Sequence, residues 1–386
     1  MHILTLTPFY PTAADDASGC FIAESVGALQ GQGVVSSVTA VRPMHRSLPG
    51  RDPKAPAATW KKYYCFPGNG GLASAGRFLY ASLTSLVRRL HAQHPIRLIH
   101  AHAALPCGKA AMLLARDLGI PFVVTVHGLD AFSTRQVPGW FGRSCSKACK
   151  NVYAAAARVI CISEQVAGRV REGLGGGAGN ISVVYNGVDP TLFSPGPVPA
   201  DSAALAGPTI LSVGNLIPIK GHELLLRSVA QITSAHPQLQ CRMIGDGPER
   251  GRLQHLAREL HIENRVHFLG RRPRAEVAAA MRACTLFALP SWYEGLGCVY
   301  LEAMAAERPA VACRGQGVEE IIRHGENGWL VEPKILNSLT TALHALLSDQ
   351  RLRETLGHNS RQTVLQAHTL VHQASKLLSI YRESLS

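Results

Sequence analysis

The sequence predicts an α/β protein made of two doubly wound domains, each a parallel sheet covered by helices on both faces. Three observations carry this. The 386 residues exceed one average domain and suit two. Short apolar runs, such as residues 2–7, 121–126, 210–213 and 285–289, alternate with amphipathic segments of helical period, the pattern of repeated strand–helix–strand units. A Pro- and Gly-rich stretch at 194–208 separates the two series and reads as a linker.

Composition narrows the class. Hydrophobic residues make up 46% and charged residues 17% of the chain, which describes a packed core, and no apolar run approaches the ~18 residues of a membrane span. The chain enters a strand at His2 without a basic region and long apolar core, so the expected compartment is the cytoplasm. The ten cysteines are scattered, and Cys161, Cys241 and Cys284 fall in apolar patterns that suit buried, reduced thiols. Cys145 and Cys149 have no second pair at zinc-site spacing, and His100 and His102 end an apolar strand, so no metal site is expected. The net charge of +13 raises nucleic-acid binding as an alternative, but no recognisable module or aromatic platform accompanies it.

Taken in order, the first strand (2–7) feeds a loop (8–19) that ends at Gly19 and opens a helix over 21–30. Ligands of doubly wound sheets bind beyond strand C-termini, so this loop should face the active crevice. Residues 42–71 lack periodicity and carry several Pro, Gly and basic residues, which predicts surface loop. A helix at 78–90, a strand at 96–100 and a helix at 108–118 lead to the buried strand ending at His127, which is either a ligand contact or a structural hydrogen-bond partner. The spaced glycines of 173–178 follow a helix and precede a strand, the reverse of a dinucleotide fingerprint, so they read as a turn.

The second domain restarts at Thr209. Its first strand leads through Asn215 to Lys220, which stands before a helix over 223–231 where an ammonium can neutralise phosphate. A further strand ends in the turn at Gly245. Pro290 stops the strand 285–289, and residues 298–306 read as a helix with Val299, Leu301, Ala303 and Met304 able to face a sheet. Gly295, Leu296 and Gly297 deliver its N-terminus, where unpaired N–H groups and the positive dipole end suit an anion. Glu294 and Glu302 frame this turn. Eight positions on one helix would place them roughly 80° apart, so they bind separate groups, or else are a helix-start acid and a solvated helix residue.

The run Ser291-x-x-Glu294-Gly295-x-Gly297-x-x-x-x-Glu302-Ala303-Met304-Ala305 resembles the signature of the family-four retaining glycosyltransferases. That resemblance implies the GT-B fold, two Rossmann-like domains facing each other across a cleft: an acceptor domain over 1–195, a donor domain over 196–372, and a last helix over 373–386 crossing back to the first. It implies a nucleotide-sugar donor, with UDP favoured over GDP, a saccharide or lipid-linked saccharide acceptor, and no cofactor; because no Asp-x-Asp pair ends a strand and helix termini with Lys220 can neutralise the phosphates, no metal is expected either. By the same resemblance Glu294 contacts donor-sugar hydroxyls, Glu302 the ribose, and Gly295, Leu296 and Gly297 the diphosphate. Lys220 also grips the diphosphate, Gly245 lies in the donor site, Gly19 lies near the donor phosphate or the acceptor, and His127 lines the reaction centre.

The chain departs from the pattern at Asn215, where the family usually has a phosphate-binding Arg, leaving Arg250 or Arg314 as substitutes. Glu307 and Gln316 each stand where a Gly is usual. The nearest rival activity is a nucleotide-sugar epimerase or hydrolase of the same architecture. Residues 1–195 hold 19 Lys and Arg against nine Asp and Glu, a net of +10 out of the chain's +13. Arg143, Lys147 and Lys150 beside Trp140 and Phe141, with Arg88 and Arg89, suggest a face for an anionic membrane surface and hence a peripheral enzyme.

Overall fold

A computed structural model describes residues 1–50, 54–65, 71–128, 139–175, 179–197 and 207–386. The chain packs as two compact units, Met1–Asn186 with Leu370–Ser386, and Gly187–Thr369. Unit 1 is built on seven parallel strands: β1 (His2–Thr7), β2 (Val35–Pro43), β3 (Ala58–Tyr63), β4 (Leu98–His102), β5 (Phe122–Val126), β6 (Arg158–Cys161) and β7 (Ile181–Val183), in the order β3-β2-β1-β4-β5-β6-β7. Unit 2 holds six: β8 (Thr209–Val213), β9 (Gln240–Ile244), β10 (Val266–Gly270), β11 (Leu286–Ala288), β12 (Ala310–Cys313) and β13 (Trp329–Val331), ordered β10-β9-β8-β11-β12-β13. β1, β4, β5 and β8 are buried at every position, because helices cover both faces of a parallel sheet, and their sequences are accordingly mostly apolar.

In each sheet the chain builds outward from its first strand, then returns and builds the other way. The order therefore reverses between β1 and β4, and again between β8 and β11. At such a switch point the loops leaving neighbouring strands part in opposite directions and open a crevice at the C-terminal edge.

Two stretches differ from the sequence reading. Residues 58–63, expected to be surface loop, form β3, which pairs in register with β2. It is an edge strand carrying Lys61 and Lys62, and edge strands are kept charged and irregular, which erases the alternation that marks inner strands. The second unit begins at Gly187, upstream of the 195/196 boundary suggested by composition. Phe193 is fully buried beneath the Arg274 guanidinium, 4.8 Å from its ring centre, and Arg282 donates to the Leu192 carbonyl at 3.2 Å, so this segment belongs to unit 2 by packing. Residues 198–206 of the linker and 176–178 of the glycine turn lie outside the described residues.

The last helix, Leu370–Glu383, belongs to unit 1 and starts a little before residue 373. Its Ala374, Leu377, Ile380 and Tyr381 close a core with Ile3, Leu98, Val123, Ile160 and Val184. Inside this core lies a polar pair, since His100 and His102 share one face of β4 with rings 4.4 Å apart. The His100 ring bonds to the Tyr381 hydroxyl at 2.6 Å and the Thr125 hydroxyl at 2.7 Å. Burial drives His100 down to about 3 and His102 well below the usual imidazole value, so both are neutral in the folded unit.

The unfolded chain titrates these imidazoles near 6.5, so below that pH it takes up protons that the folded unit refuses. Stability from these groups is thus complete above about 6.5 and falls with acidification at up to ~1.4 kcal/mol per pH unit for each. Calorimetry of unit 1 unfolding near pH 5.5 should register uptake of about two protons or more; no uptake would contradict the buried neutral pair.

Glu307 allows a second test. The helix Cys298–Ala305 ends in a Schellman turn, with Arg308 N–H on the Ala303 carbonyl and Glu307 N–H on that of Met304, and Glu307 takes a left-handed φ of 64°. That costs a non-Gly residue about 1–2 kcal/mol, whereas Gly gives back ~0.5–1 kcal/mol as unfolded-chain entropy. Glu307→Gly should therefore stabilise unit 2 by ~0.5–1 kcal/mol in urea denaturation, and a loss of stability would refute this account of the departure.

Candidate active site

The switch point of unit 2 assembles the charged groups. β8 runs out at Val213 into the short turn Pro218–Lys220, and its neighbour β11 runs out at Ala288 into the loop before the helix Cys298–Ala305. Because β8 and β11 are adjacent, the two loops emerge side by side, and Trp292 N–H donates to the Ile219 carbonyl at 3.1 Å. Lys220 Nζ and Glu294 Oε2 meet there as an ion pair, with side chains only 17% and 14% exposed. A largely desolvated pair of this kind interacts strongly, yet each member keeps polar capacity for a ligand.

The loop around Glu294 is held on every side. Gly297 has a φ of 78°, and a Cβ there would meet the Tyr300 ring at 2.7 Å and Glu294 Cγ at 3.0 Å, so no other residue fits. Tyr300 is fully buried, donates to the Leu289 carbonyl at 2.6 Å and packs edge-on against Phe287, which fixes the helix to the end of β11. The Glu294 N–H donates to Gln316 Oε1 at 2.9 Å, and Gly317 N–H donates to the Glu294 carbonyl at 3.2 Å. Gln316, where a glycine was expected, thus uses its side chain to occupy one backbone donor of the loop.

Glu302 is 2% exposed, which overturns the reading of it as a solvated helix residue. Its Oε1 forms an ion pair with Arg274 Nη1, while Oε2 is buried without a hydrogen-bond partner. An unmet buried acceptor costs about 1–3 kcal/mol. A ligand hydroxyl reaching Oε2 would recover that cost.

Asn215 and Gly245 lie beside the same turn, since a Cβ at Gly245 would lie 1.9 Å from the carbonyl oxygen of Gly214, whereas Gly19 and His127 belong to unit 1. Asn215 is exposed, and its carbonyl accepts from Ile217 N–H and bonds the His222 ring at 3.3 Å. Neither proposed substitute cation stands free: Arg250 pairs with Asp246 at 3.7 Å, and Arg314 with Glu319 and Glu332 at 3.3 Å each. Gly245 follows β9, one strand away from the switch, with its N–H on the Gly270 carbonyl. Gly19 opens the helix Cys20–Gly31 with a φ of 74°, and a Cβ there would lie 2.4 Å from Tyr10 N. Its own loop therefore already demands glycine, and no phosphate contact is needed to explain it.

In unit 1, His127 is half-buried beside Phe21 and Phe9, with ring centroids at 5.1 and 6.3 Å. Its Nε2 shares a hydrogen bond of 3.0 Å with His102 Nδ1, and burial lowers its pKa to about 4. It is therefore a neutral imidazole whose tautomer is coupled to that of His102. Sequence reasoning missed Arg274, and it named His102 and Gln316 without their partners. The contact of His102 with His127 left a signal, because β4 and β5 are adjacent and residues 100, 102, 125 and 127 alternate onto one face. Leu129 and Asp130, next after His127 and Gly128, lie outside the described residues.

On the helix Gly139–Ala155, Trp140 is 63% exposed and shares one face with exposed Arg143, Lys147 and Lys150, none of which forms an ion pair among the described residues. Arg88 and Arg89 are likewise exposed. Among the described residues, no helix is long and apolar enough to cross a membrane.

Comparison with known proteins places these features in a family. Residues 26–192 match Glycosyltransferase Family 4, and residues 202–363 match the glycosyl transferases group 1. An uncharacterized glycosyltransferase of Methanocaldococcus jannaschii is 32% identical over 270 residues, covering 69% of this chain and 70% of that protein. A D-inositol 3-phosphate glycosyltransferase of Corynebacterium glutamicum is 30% identical over 306 residues, with 75% and 72% covered. Among solved structures, a sucrose-phosphate synthase from Thermosynechococcus elongatus superposes with a TM-score of 0.81 at 23% identity over 99% of both chains. The Anabaena protein HepE, in complex with UDP and glucose, gives 0.76 at 22% identity over 99% of this chain and 100% of its own. With two parallel doubly wound units, and relatives at least 30% identical over about 70% of their own length, the chain belongs to the family-four-like glycosyltransferases of GT-B fold.

Proposed function

We propose that the enzyme transfers a sugar, with retention of anomeric configuration and without a metal, from a nucleotide-diphosphate sugar to a saccharide or lipid-linked saccharide. The observation that carries the reading is the Lys220–Glu294 pair at the switch point of unit 2, beside the N-terminus of the helix Cys298–Ala305. Lys220 and that helix end present positive charge where a diphosphate leaves. Glu294 binds hydroxyls of the transferred sugar, Glu302 binds the ribose through Oε2, and neutral His127 bonds a sugar hydroxyl. UDP is favoured because the similar HepE structure holds UDP and glucose.

In the proposed step, the bond from the anomeric carbon to the phosphate oxygen breaks as the acceptor hydroxyl oxygen bonds to the same face of that carbon. The acceptor's proton passes to the departing phosphate, so no protein nucleophile is needed. Catalysis then consists of positioning and charge stabilisation.

The test is a thermal-stabilisation panel of UDP- and GDP-sugars, followed by transfer assays in EDTA. Stabilisation by one nucleotide-sugar and α-configured product from an α-linked donor are expected. Lys220→Ala and Glu294→Gln should each lower turnover at least ~100-fold with the fold intact, whereas Glu302→Ala should act mainly on donor affinity. Undiminished turnover in the first two variants would sink the site assignment, and donor breakdown without an acceptor would favour a hydrolase. Strict dependence on Mg²⁺ or Mn²⁺ would overturn the metal-free step.

The acceptor-side proposal is docking on an anionic membrane surface at the cytoplasmic face, supported by the Trp140, Arg143, Lys147 and Lys150 face and the +10 charge of residues 1–195. The protein should co-sediment with anionic liposomes at low salt and release at high salt. Absence of binding at low salt, with efficient transfer to a soluble saccharide, would exclude it.

A further inference from the structure

We propose that Arg274 is a positioning residue of the donor site, holding the Glu302 carboxylate by Oε1 so that Oε2 is presented to the ribose of the nucleotide. The inference rests on the ribose reading of Glu302 given above. It concerns a residue that no motif singles out, twenty-eight positions away in sequence and on a different crossover connection.

Arg274 begins the helix Arg274–Ala283 directly after Pro273, and Glu302 lies in the second turn of the helix Cys298–Ala305. Both side chains are almost enclosed, Arg274 at 13% and Glu302 at 3% exposure. Desolvating a carboxylate to this extent demands a counterion with fixed geometry, or the side chain swings toward water. Arg274 is itself fixed, because its guanidinium stacks on the ring of fully buried Phe193. The stack orients the plane, the plane aims Nη1 at Oε1, and the carboxylate is left with one satisfied oxygen and one buried oxygen that lacks any partner.

The division of the two oxygens carries the inference. A carboxylate placed only to neutralise Arg274 would gain from a bidentate fork with both oxygens engaged. Here one buried acceptor is withheld, and a ribose hydroxyl is a neutral donor of the size and polarity that fits it. Lysine could supply the charge but not the arrangement, since an ammonium has no plane to stack on Phe193 and no fixed direction for its protons.

The experiment measures binding of UDP and 2′-deoxy- and 3′-deoxy-UDP by titration calorimetry, or the guanosine counterparts where the donor panel selects GDP. In the wild-type enzyme, losing the hydroxyl that Oε2 accepts should weaken binding by about tenfold. In Arg274→Lys and Phe193→Leu the parent nucleotide should bind more weakly, while the ratio between it and the deoxy analogue collapses to within about twofold. Arg274→Met could unfold by stranding the Glu302 charge. The double variant Arg274→Met with Glu302→Gln removes both charges, and it too should fail to discriminate. A purely structural Arg274 would change the melting temperature and leave the ratio intact, so a preserved ratio in Arg274→Lys overturns the inference. If the wild-type enzyme itself does not discriminate either deoxy analogue, the ribose reading of Glu302 fails, and this inference with it.

Discussion

The adjacency of β8 and β11 is the constraint on which the candidate site depends. These strands are far apart in sequence, and only the reversal of strand order in a doubly wound sheet makes them neighbours. That adjacency sends the Lys220 turn and the Glu294 loop out of the same edge and closes them into an ion pair. It also sets the helix Cys298–Ala305 against the sheet, where Tyr300 pins it to the Leu289 carbonyl and Gly297 admits the sharp entry that no other residue could make. Charge and helix end converge because the topology leaves them no other place.

The two carboxylates of the signature occupy different electrostatic environments. Glu294 faces Lys220 from a loop and is held through its own backbone, with Gln316 on its N–H and Gly317 on its carbonyl. Glu302 faces Arg274 from within a helix and is held through its side chain. Their angular separation on a helical wheel foretold that they could not act as a tight pair, and the structure shows why: each has its own cation, supplied by a different crossover connection. Neither arrangement would survive removal of its cation without cost, because breaking a buried pair strands the remaining charge.

Much of the fold could be read from buried strands, since β1, β4, β5 and β8 are covered on both faces, are rich in Ile, Leu and Val, and admit polar side chains such as His100 only with buried partners. β3 could not be read that way, because an edge strand is exposed on one side and its Lys61 and Lys62 belong to that exposure. The start of unit 2 was hidden for a related reason: Pro and Gly mark where the chain turns, whereas the burial of Phe193 under Arg274 marks where it packs. Glu294, Glu302 and Lys220 were legible because their neighbours along the chain share the site. Arg274 was not, because it acts across the fold, and Gly19 is needed by its own loop backbone at Tyr10 whether or not a ligand lies near it.

The departures from the family pattern all bear on the positive charge at the switch point of unit 2. Asn215 brings no charge to the switch point, and Arg250 and Arg314 are engaged with carboxylates elsewhere. Gln316 removes one backbone donor by bonding the Glu294 N–H itself. Positive potential at the site is thus concentrated in Lys220 and the end of the helix Cys298–Ala305. A cation already paired with a carboxylate is held in place before the ligand arrives, so little side-chain entropy remains to be lost on binding. On the proposed function, the diphosphate and Glu294 would compete for the same ammonium, so donor binding would exchange one partner of Lys220 for another.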